Sequence, residues 1–346
     1  MRKLATIRKI AELRPIEGAD AIEAAVVDGW TVVVKKGEFQ AGQFAVFCEI
    51  DSWIPTDLAP FLSKGKEPRE FNGVKGERLR TAKLRGQLSQ GLLLPINVLP
   101  HSLGFEYATD RTIGEDVSYW LGVQKWEAPI PAQLAGEVRS TFPGFIPKTD
   151  QERVQNLVRE VEDYARRRLT FEVTEKLDGS SMTVYSVEGD EGVCSRNLDL
   201  KETETNTFWS VARREGLLDK IAGMNIALQG ELIGEGIQKN PYGIKGQDFY
   251  VFDIYDINKG EYFTPARRRR FCEDKQIKHV PVIAHAAELH DTLGLMSVED
   301  ILKFAEAKSV QGSAKPEREG VVFKCCEDPA TSFKAISNKF LLKGGD

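Results

Sequence analysis

The sequence predicts an α+β protein of two domains. An OB-like β-barrel spans residues 1–125, and a second domain of mostly antiparallel strands with interleaved helices spans residues 143–346. Three observations predict this. A length of 346 residues, at roughly 150 per domain, provides two cores. Short β-branched and aromatic runs punctuated by glycine and proline fill the first third, as in a small barrel. From Trp126 to Pro147 the composition shifts: Pro129, Pro131, Pro143 and Pro147 crowd a stretch of little periodicity, which places the linker at 126–142.

In the first domain, Asp28-Gly29 between short apolar runs signals a hairpin whose second strand is Trp30–Val34. Further strands are read at Gln43–Ile50, Arg78–Leu84 and Gly91–Leu94. In the second domain, Thr149 and Glu152 make a capping box ahead of a helix with Val154, Leu157, Val158 and Val161 at helical spacing. Strands Thr170–Lys176 and Ser181–Val187 follow, joined across Asp178-Gly179. Helices near Thr207–Arg214 and after Thr264-Pro265 alternate with strands Ile226–Leu232, Phe249–Tyr255 and Gly320–Lys324. The run Arg267–Arg270 reads as a solvated helix start behind a Thr264 cap, because four consecutive helical residues point in four directions.

Composition narrows the function. With 41% hydrophobic and 29% charged residues the chain is not disordered. No apolar run approaches the ~18 residues of a membrane helix. The basic start MRKLATIRKI lacks the apolar stretch of a signal peptide, so the expected location is the cytoplasm. The five cysteines (Cys48, Cys194, Cys272, Cys325, Cys326) form no C-x-x-C pair and read as free thiols. The four histidines (His101, His279, His285, His290) read as helix-surface residues, and the H-A-A-E-L-H pair His285 and His290 is spaced i, i+5, so zinc hydrolase chemistry drops out. The net charge of −5 is uneven: Lys64–Arg85 holds eight basic residues against three acidic ones, a local +5 that leaves −10 elsewhere. Local charge decides where a phosphate backbone docks.

No P-loop and no G-x-G-x-x-G fingerprint is present. What remains is Lys176-Leu177-Asp178-Gly179. Alone, K-x-D-G arises by chance roughly one time in ten in a chain this long, and a hairpin turn with a solvent-facing lysine would account for it. It is followed in order by Ser195-Arg196-Asn197, Gln229-Gly230-Glu231-Leu232, Phe249-Tyr250-Val251-Phe252-Asp253-Ile254, Glu319-Gly320-Val321-Val322-Phe323-Lys324 and Ser332-Phe333-Lys334-Ala335-Ile336. This collinear set, from Pro143 to Lys343, resembles the covalent nucleotidyltransferase superfamily of ATP-dependent polynucleotide ligases and RNA-capping enzymes. The second domain is thereby expected to be a nucleotidyltransferase (adenylation) domain.

The residue types suit that chemistry. A lysine attacks a nucleotide α-phosphorus only as a neutral amine, so cations or desolvation must act on it. A divalent metal supplies such a field and neutralises phosphate charge. Asp178, Glu231 and Glu319 are the candidate carboxylates, and an all-oxygen, water-rich site suits Mg2+ or Mn2+. The resemblance implies further roles. Lys176 becomes lysyl-AMP, beside Glu175 in the nucleotide site, and Lys324 and Lys334 contact the α-phosphate. Arg196 meets the ribose 3′-hydroxyl or adjoining nucleic acid, and Glu231 faces the ribose. Phe252 and Val322 sandwich the adenine. Plain core roles for Phe252 and Val322 and a surface ion pair for Arg196 are the alternatives. Many RNA ligases carry a second lysine two residues after the one matching Lys334, and here that place is Ile336. Lys148, Asp150 and Arg153, at the start of the capped helix, are candidates for the β- and γ-phosphates.

The chain runs only twelve residues past Lys334, leaving no room for the trailing OB domain of DNA ligases and capping enzymes. Instead Gly37-Glu38-Phe39, Glu49-Ile50-Asp51-Ser52 and Leu84–Gly91 look like the N-terminal module of the Naegleria/Deinococcus-type RNA ligases. Glu231–Gln238 is similar to the nick-sealing pattern. The resemblance implies an ATP-dependent RNA ligase that joins 3′-hydroxyl and 5′-phosphate ends at nicks in duplexes with an RNA 3′-hydroxyl strand, in RNA repair. Lys75, Arg78, Arg80, Lys83 and Arg85 are the candidate grip on that nucleic acid. A monomer without an obligate protein partner and without a membrane is expected. A DNA ligase, a GTP-dependent capping enzyme and an inactive RNA-binding relative are the alternatives.

Overall fold

The computed structural model describes residues 2–104, 108–127 and 136–343. Pro129 and Pro131 of the expected linker lie outside the described residues. The chain forms two compact units, residues 1–129 and 130–345.

The first unit is built from short strands: β1 (Ala5–Lys9), β2 (Glu12–Pro15), β3 (Ile22–Val27), β4 (Trp30–Lys35), β5 (Phe44–Cys48), β6 (Ser52–Pro55), β7 (Arg69–Phe71), β8 (Val74–Arg78), β9 (Ala82–Leu84), β10 (Gln87–Ser89), β11 (Leu92–Pro95) and β12 (Gln124–Lys125). They pair as β1-β5-β11, β2-β3-β4, β12-β6-β8-β7 and the ribbon β9-β10. Asp28 takes a positive φ of 50° in the expected β3–β4 turn. The core gathers alternate residues such as Ile7, Val46, Ile54 and Leu94, with Val117 and Leu121 from the following loops. The single strand expected over Arg78–Leu84 is instead two strands, β8 and β9. Leu79 is buried in the core with its N–H still bonded to Ser52 O, and residues 79–81 belong to no strand before β9 begins.

The second unit holds β13 (Val138–Thr141), β14 (Glu152–Arg153), β15 (Thr170–Lys176), β16 (Ser180–Val187), β17 (Asp190–Cys194), β18 (Leu198–Leu200), β19 (Ile226–Gly234), β20 (Gln247–Asp256), β21 (Glu261–Tyr262), β22 (Val282–Glu288), β23 (Gly320–Cys325) and β24 (Ser332–Ile336). Its helices are α1 (Val158–Arg166), α2 (Thr207–Arg214), α3 (Leu217–Ile221), α4 (Pro265–Asp274), α5 (Val298–Ala305) and α6 (Asn338–Leu342). A seven-stranded sheet runs β13-β18-β17-β16-β19-β20-β21, and a five-stranded sheet β14-β24-β23-β15-β22. Met182, Leu228, Phe249 and Val251 pack with α2 and α3 behind the first sheet. Phe171, Val173, Phe323 and Phe333 pack with α1 and α5 behind the second. Val138–Thr141, inside the expected linker, pairs with β18 as an edge strand.

Three local expectations are corrected. Thr149 and Glu152 do not cap a helix: Glu152–Arg153 pairs in parallel with β24, Val154–Asn156 makes one 3-10 turn, and α1 starts at Val158 without a side-chain cap. Extended chain here buries Val154 in the core. The Glu152 carboxylate accepts from Arg153 N–H at 2.9 Å and Asn156 Nδ2 at 2.8 Å instead. His285 lies on β22 and His279 in an isolated bridge to Val251, neither of them on a helix. Asp178-Gly179 does not close a hairpin, since β15 and β16 belong to different sheets.

Candidate active site

Lys176 is the last residue of β15. In the register of the five-stranded sheet Lys176 lies opposite Gly320, Thr174 opposite Val322, and Glu172 opposite Lys324, while Lys334 on β24 lies opposite Val322. Directly opposed residues share a face, so Lys176, Val322, Lys324 and Lys334 line one face while the phenylalanines fill the other. Arg153 lies beside Lys334 on the neighbouring strand. Glu175 points to the opposite side, where its carboxylate accepts the Val310 N–H at 3.1 Å and burial pushes its pKa up. Ile336 is buried near Gly320, so the place of the second lysine is filled by apolar packing.

The chain then crosses between sheets. Leu177 is buried with Ile233, Tyr242 and Val280, and the Asp178 N–H donates to Tyr242 Oη at 2.6 Å. A Cβ on Gly179 would stand 2.3 Å from the Leu232 carbonyl oxygen, so no other residue fits there. This close approach brings Glu231, opposite Ser181 on the seven-stranded sheet, to the lysine.

Lys176 Nζ bonds to Glu319 Oε1 at 2.7 Å. Burial alone would lower the Lys176 pKa, but Glu319, Glu231 and Asp178 outweigh it and hold the ammonium above the ordinary lysine range. Burial, with Glu319 and Asp178 adding to it and Lys176 opposing, pushes Glu231 up to about 8. The protein's own charges therefore keep Lys176 protonated, and a cation among these carboxylates is what would reverse that. The donor set fits one: it is all oxygen, and Glu319 Oε2 is buried with no hydrogen-bond partner among the described residues. Among the described residues no three His, Cys, Asp or Glu side chains close into a ready-made cage, so Asp178, Glu231 and Glu319 would hold an ion that keeps much of its own water.

A second charged cluster lies deeper. Lys324 Nζ bonds to Asp253 Oδ2 at 2.5 Å, and Asp253 Oδ1 accepts from Arg268 Nη1 at 3.1 Å. Arg268 and Arg269 both pair with Glu172, and Arg268 Nε donates to His279 Nε2 at 3.0 Å. The reading of Arg267–Arg270 as a solvated helix start is thus corrected. Arg268 is 0% exposed, because it lies with Pro265 and Cys272 on the inward stripe of α4. Thr264 does cap that helix. Arg268, Glu172 and Tyr242 were not singled out in the sequence. The one signal for Arg268 was its spacing of three from Pro265 and four from Cys272.

The outer site residues gather over the Ser195–Asn197 segment. Lys148 Nζ donates to Asn197 Oδ1 at 2.8 Å, Arg196 pairs with Asp150 at 2.6 Å, and Gln229 Nε2 donates to Pro147 O at 2.7 Å. Phe252 is the extra residue of a bulge between Gln229↔Asp253 and Gly230↔Val251, half-buried beside the Tyr242 cluster. In the first unit Lys75 pairs with Glu67 at 3.0 Å, and Arg78 pairs with Asp51 at 2.6 Å with its guanidinium 4.0 Å over the Trp126 ring. Arg80, Lys83 and Arg85 are exposed.

Comparisons with known proteins bear on this geometry. Residues 169–337 match the RNA ligase family model, and residues 4–96 match an OB-fold domain family, which bears out the expected barrel type. No curated protein sequence matches the chain. Among solved structures, a mutant of Naegleria gruberi RNA ligase with AMP and Mn is 48% identical, covers 98% of each chain and has a TM-score of 0.87. Another mutant of that ligase with ATP and Mn is 48% identical over 98% of each chain, with a TM-score of 0.86. The same ligase with PPi is 48% identical over 99% of this chain and 98% of that one, with a TM-score of 0.86. With a conserved-length match to these ligases and a lysine-centred carboxylate site in the matching domain, the chain belongs to the RNA ligase family.

Proposed function

We propose that this RNA ligase uses ATP as AMP donor, with Mg2+ or Mn2+, to seal a 3′-hydroxyl to a 5′-phosphate at nicks in duplexes whose 3′-hydroxyl strand is RNA. The observation that carries the reading is Lys176 set among Glu319, Glu231 and Asp178, on one sheet face with Lys324 and Lys334. The Naegleria ligase structures with ATP, with AMP and with PPi support it, since these are the reactant and the two fragments of the first step.

In that step Lys176, once its extra proton has left to water, attacks the α-phosphorus. The P–N bond forms, the bond to the β-phosphate oxygen breaks, and pyrophosphate leaves. A divalent ion held by the carboxylates supplies the field that favours the neutral amine and offsets phosphate charge. Lys324 and Lys334 approach the α-phosphate, Phe252 and Val322 flank the base, and Glu231 and Arg196 face the ribose. Lys148 and Arg153 meet the outer phosphates, and the backbone at Glu175 borders the nucleotide. A 5′-phosphate oxygen then takes the AMP from Lys176. Finally the 3′-hydroxyl attacks the activated 5′-phosphorus and AMP departs, leaving a 3′–5′ phosphodiester. The N-terminal unit grips the nucleic acid through the cations of Lys64–Arg85. No described helix is long and apolar enough to cross a membrane, and the proposed setting is RNA repair by a monomer in the cytoplasm.

The test has two parts. Incubation with α-labelled ATP and either metal should label a 38.7 kDa band that Lys176→Ala abolishes. Sealing should be faster on a nick with an RNA 3′ end than on an all-DNA nick. Absence of label, even after pyrophosphate treatment to strip AMP acquired during expression, would overturn the ligase chemistry. Equal sealing of both nicks would overturn the RNA preference alone.

A further inference from the structure

The eight basic residues between Lys64 and Arg85 do not present their charge equally. Arg69 is tied to Glu77 at 2.5 Å, Lys75 to Glu67, and Arg78 to Asp51 and Trp126. Arg80, Lys83 and Arg85 form no ion pair among the described residues, and every residue from Ala82 to Gly86 is exposed. These three cations sit on or beside one element, the ribbon β9-β10, in which Ala82, Lys83 and Leu84 face Ser89, Leu88 and Gln87. Its turn is as short as a hairpin allows: Arg85 (φ 48°) and Gly86 (φ 85°) are both left-handed, as a type I′ turn demands.

The ribbon is free at its tip and fixed at its base. Ser89 Oγ accepts the Val33 N–H at 2.9 Å, and the Gln90 N–H donates to Thr31 O at 2.8 Å, both on β4. Neither strand has a third partner in its sheet. Leu84, between the two tip cations in sequence, is 43% exposed. A projecting ribbon with an apolar residue flanked by uncompensated cations is poorly suited to face water alone. Anchored as it is, it binds with little ordering cost.

We infer that the β9-β10 ribbon is the element that lies on the duplex beside the nick, with Lys83, Arg85 and Arg80 on phosphates and Leu84 against the sugar edge. This rests on the nick-sealing reading and narrows it. The shallow, wide minor groove of an A-form helix accepts such a ribbon and is read by shape, so the contact would favour RNA-containing duplexes without sequence preference.

The test measures binding of the full-length protein to a nicked duplex as a function of salt, with lysyl-AMP formation as the check on folding. The triple variant Arg80→Ala/Lys83→Ala/Arg85→Ala should bind on the order of tenfold or more weakly and flatten the log K–log salt slope by roughly two to three units, at about 0.9 per phosphate contact. A control that removes equal charge elsewhere in the unit, Lys9→Ala/Arg14→Ala/Arg111→Ala, should change the slope far less. Gly86→Val, which keeps every charge but opposes the left-handed turn, should also weaken binding severalfold. If wild type binds and the triple variant binds with the same slope, or the control loses as much, the ribbon inference falls while the nick reading stands. If wild type does not bind nicked duplex, both fall.

Discussion

Lys324 on β23 and Asp253 on β20 form a buried ion pair, Nζ to Oδ2 at 2.5 Å, that joins the two sheets of the C-terminal unit. Asp253 is shared with Arg268, which is itself anchored by Glu172 on the five-stranded sheet. Asp253 thus contacts two buried cations, of which Arg268 also has Glu172. Burial pushes the Lys324 pKa down and Asp253 opposes it, so the pair favours the charged form of the lysine.

Removing that balance has a predictable cost. Asp253→Ala leaves two cations buried without it and should destabilise the protein by about 3–5 kcal/mol, the range for breaking a buried pair from one side. Urea unfolding monitored by tryptophan fluorescence checks this, and a loss under 1 kcal/mol would show that the cluster carries little.

Gly179 should be irreplaceable for a steric reason. In Gly179→Ala the new Cβ must displace the Leu232 carbonyl, which moves Lys176 away from Glu231. Adenylylation should fall at least 100-fold with Lys176 intact, measured as single-turnover labelling at saturating ATP. A wild-type rate would mean that the crossing relaxes without cost.

Lys148 bonds to Asn197 and lies just ahead of β14, the edge strand of the sheet that carries Lys176. As a contact for outer phosphates it should matter only while they are present. Lys148→Ala is expected to slow lysyl-AMP formation tenfold or more and to spare sealing of a pre-adenylylated nick. Equal loss in both assays would contradict the assignment.

His279 provides a pH dependence. Burial, then the neighbouring Arg268, pushes its pKa from 6.5 down to about 3, and its Nδ1–H donates to Val280 O at 2.6 Å. The unfolded chain therefore binds a proton that the folded chain refuses between pH 6.5 and 3. Stability from this residue is full above 6.5 and is lost as pH falls, by up to about 1.4 kcal/mol per pH unit. His279→Gln should flatten that slope in denaturation curves taken from pH 7 to 4.5.

The site was legible where chemistry and pattern coincide. Lys176, Glu319 and Lys324 sit at or beside the ends of strands that alternation locates, and Glu231 lies within another such strand, β19. What misled was local language with two meanings. Asp178-Gly179 reads as a hairpin turn, yet the glycine is required by a carbonyl from a strand 53 residues later. The T-x-x-E spelling at Thr149 reads as a cap, but a tertiary partner, β24, claims that backbone as a strand. Arg268 was hidden among three arginines that do face outward or sideways. Only the packing of α4 distinguishes it, through partners on β15 and β20 that no short window contains.

The crossing at Leu177–Gly179 divides labour by sheet. Lys176, Lys324 and Lys334 belong to the five-stranded sheet, whereas Glu231 and Phe252 belong to the seven-stranded one. Under the proposed roles, the triphosphate is handled by one sheet and most of the nucleoside by the other. Substitutions on β19 or β20 can then retune which base and sugar are accepted while the attacking group keeps its aim, so selectivity and reactivity are open to independent adjustment.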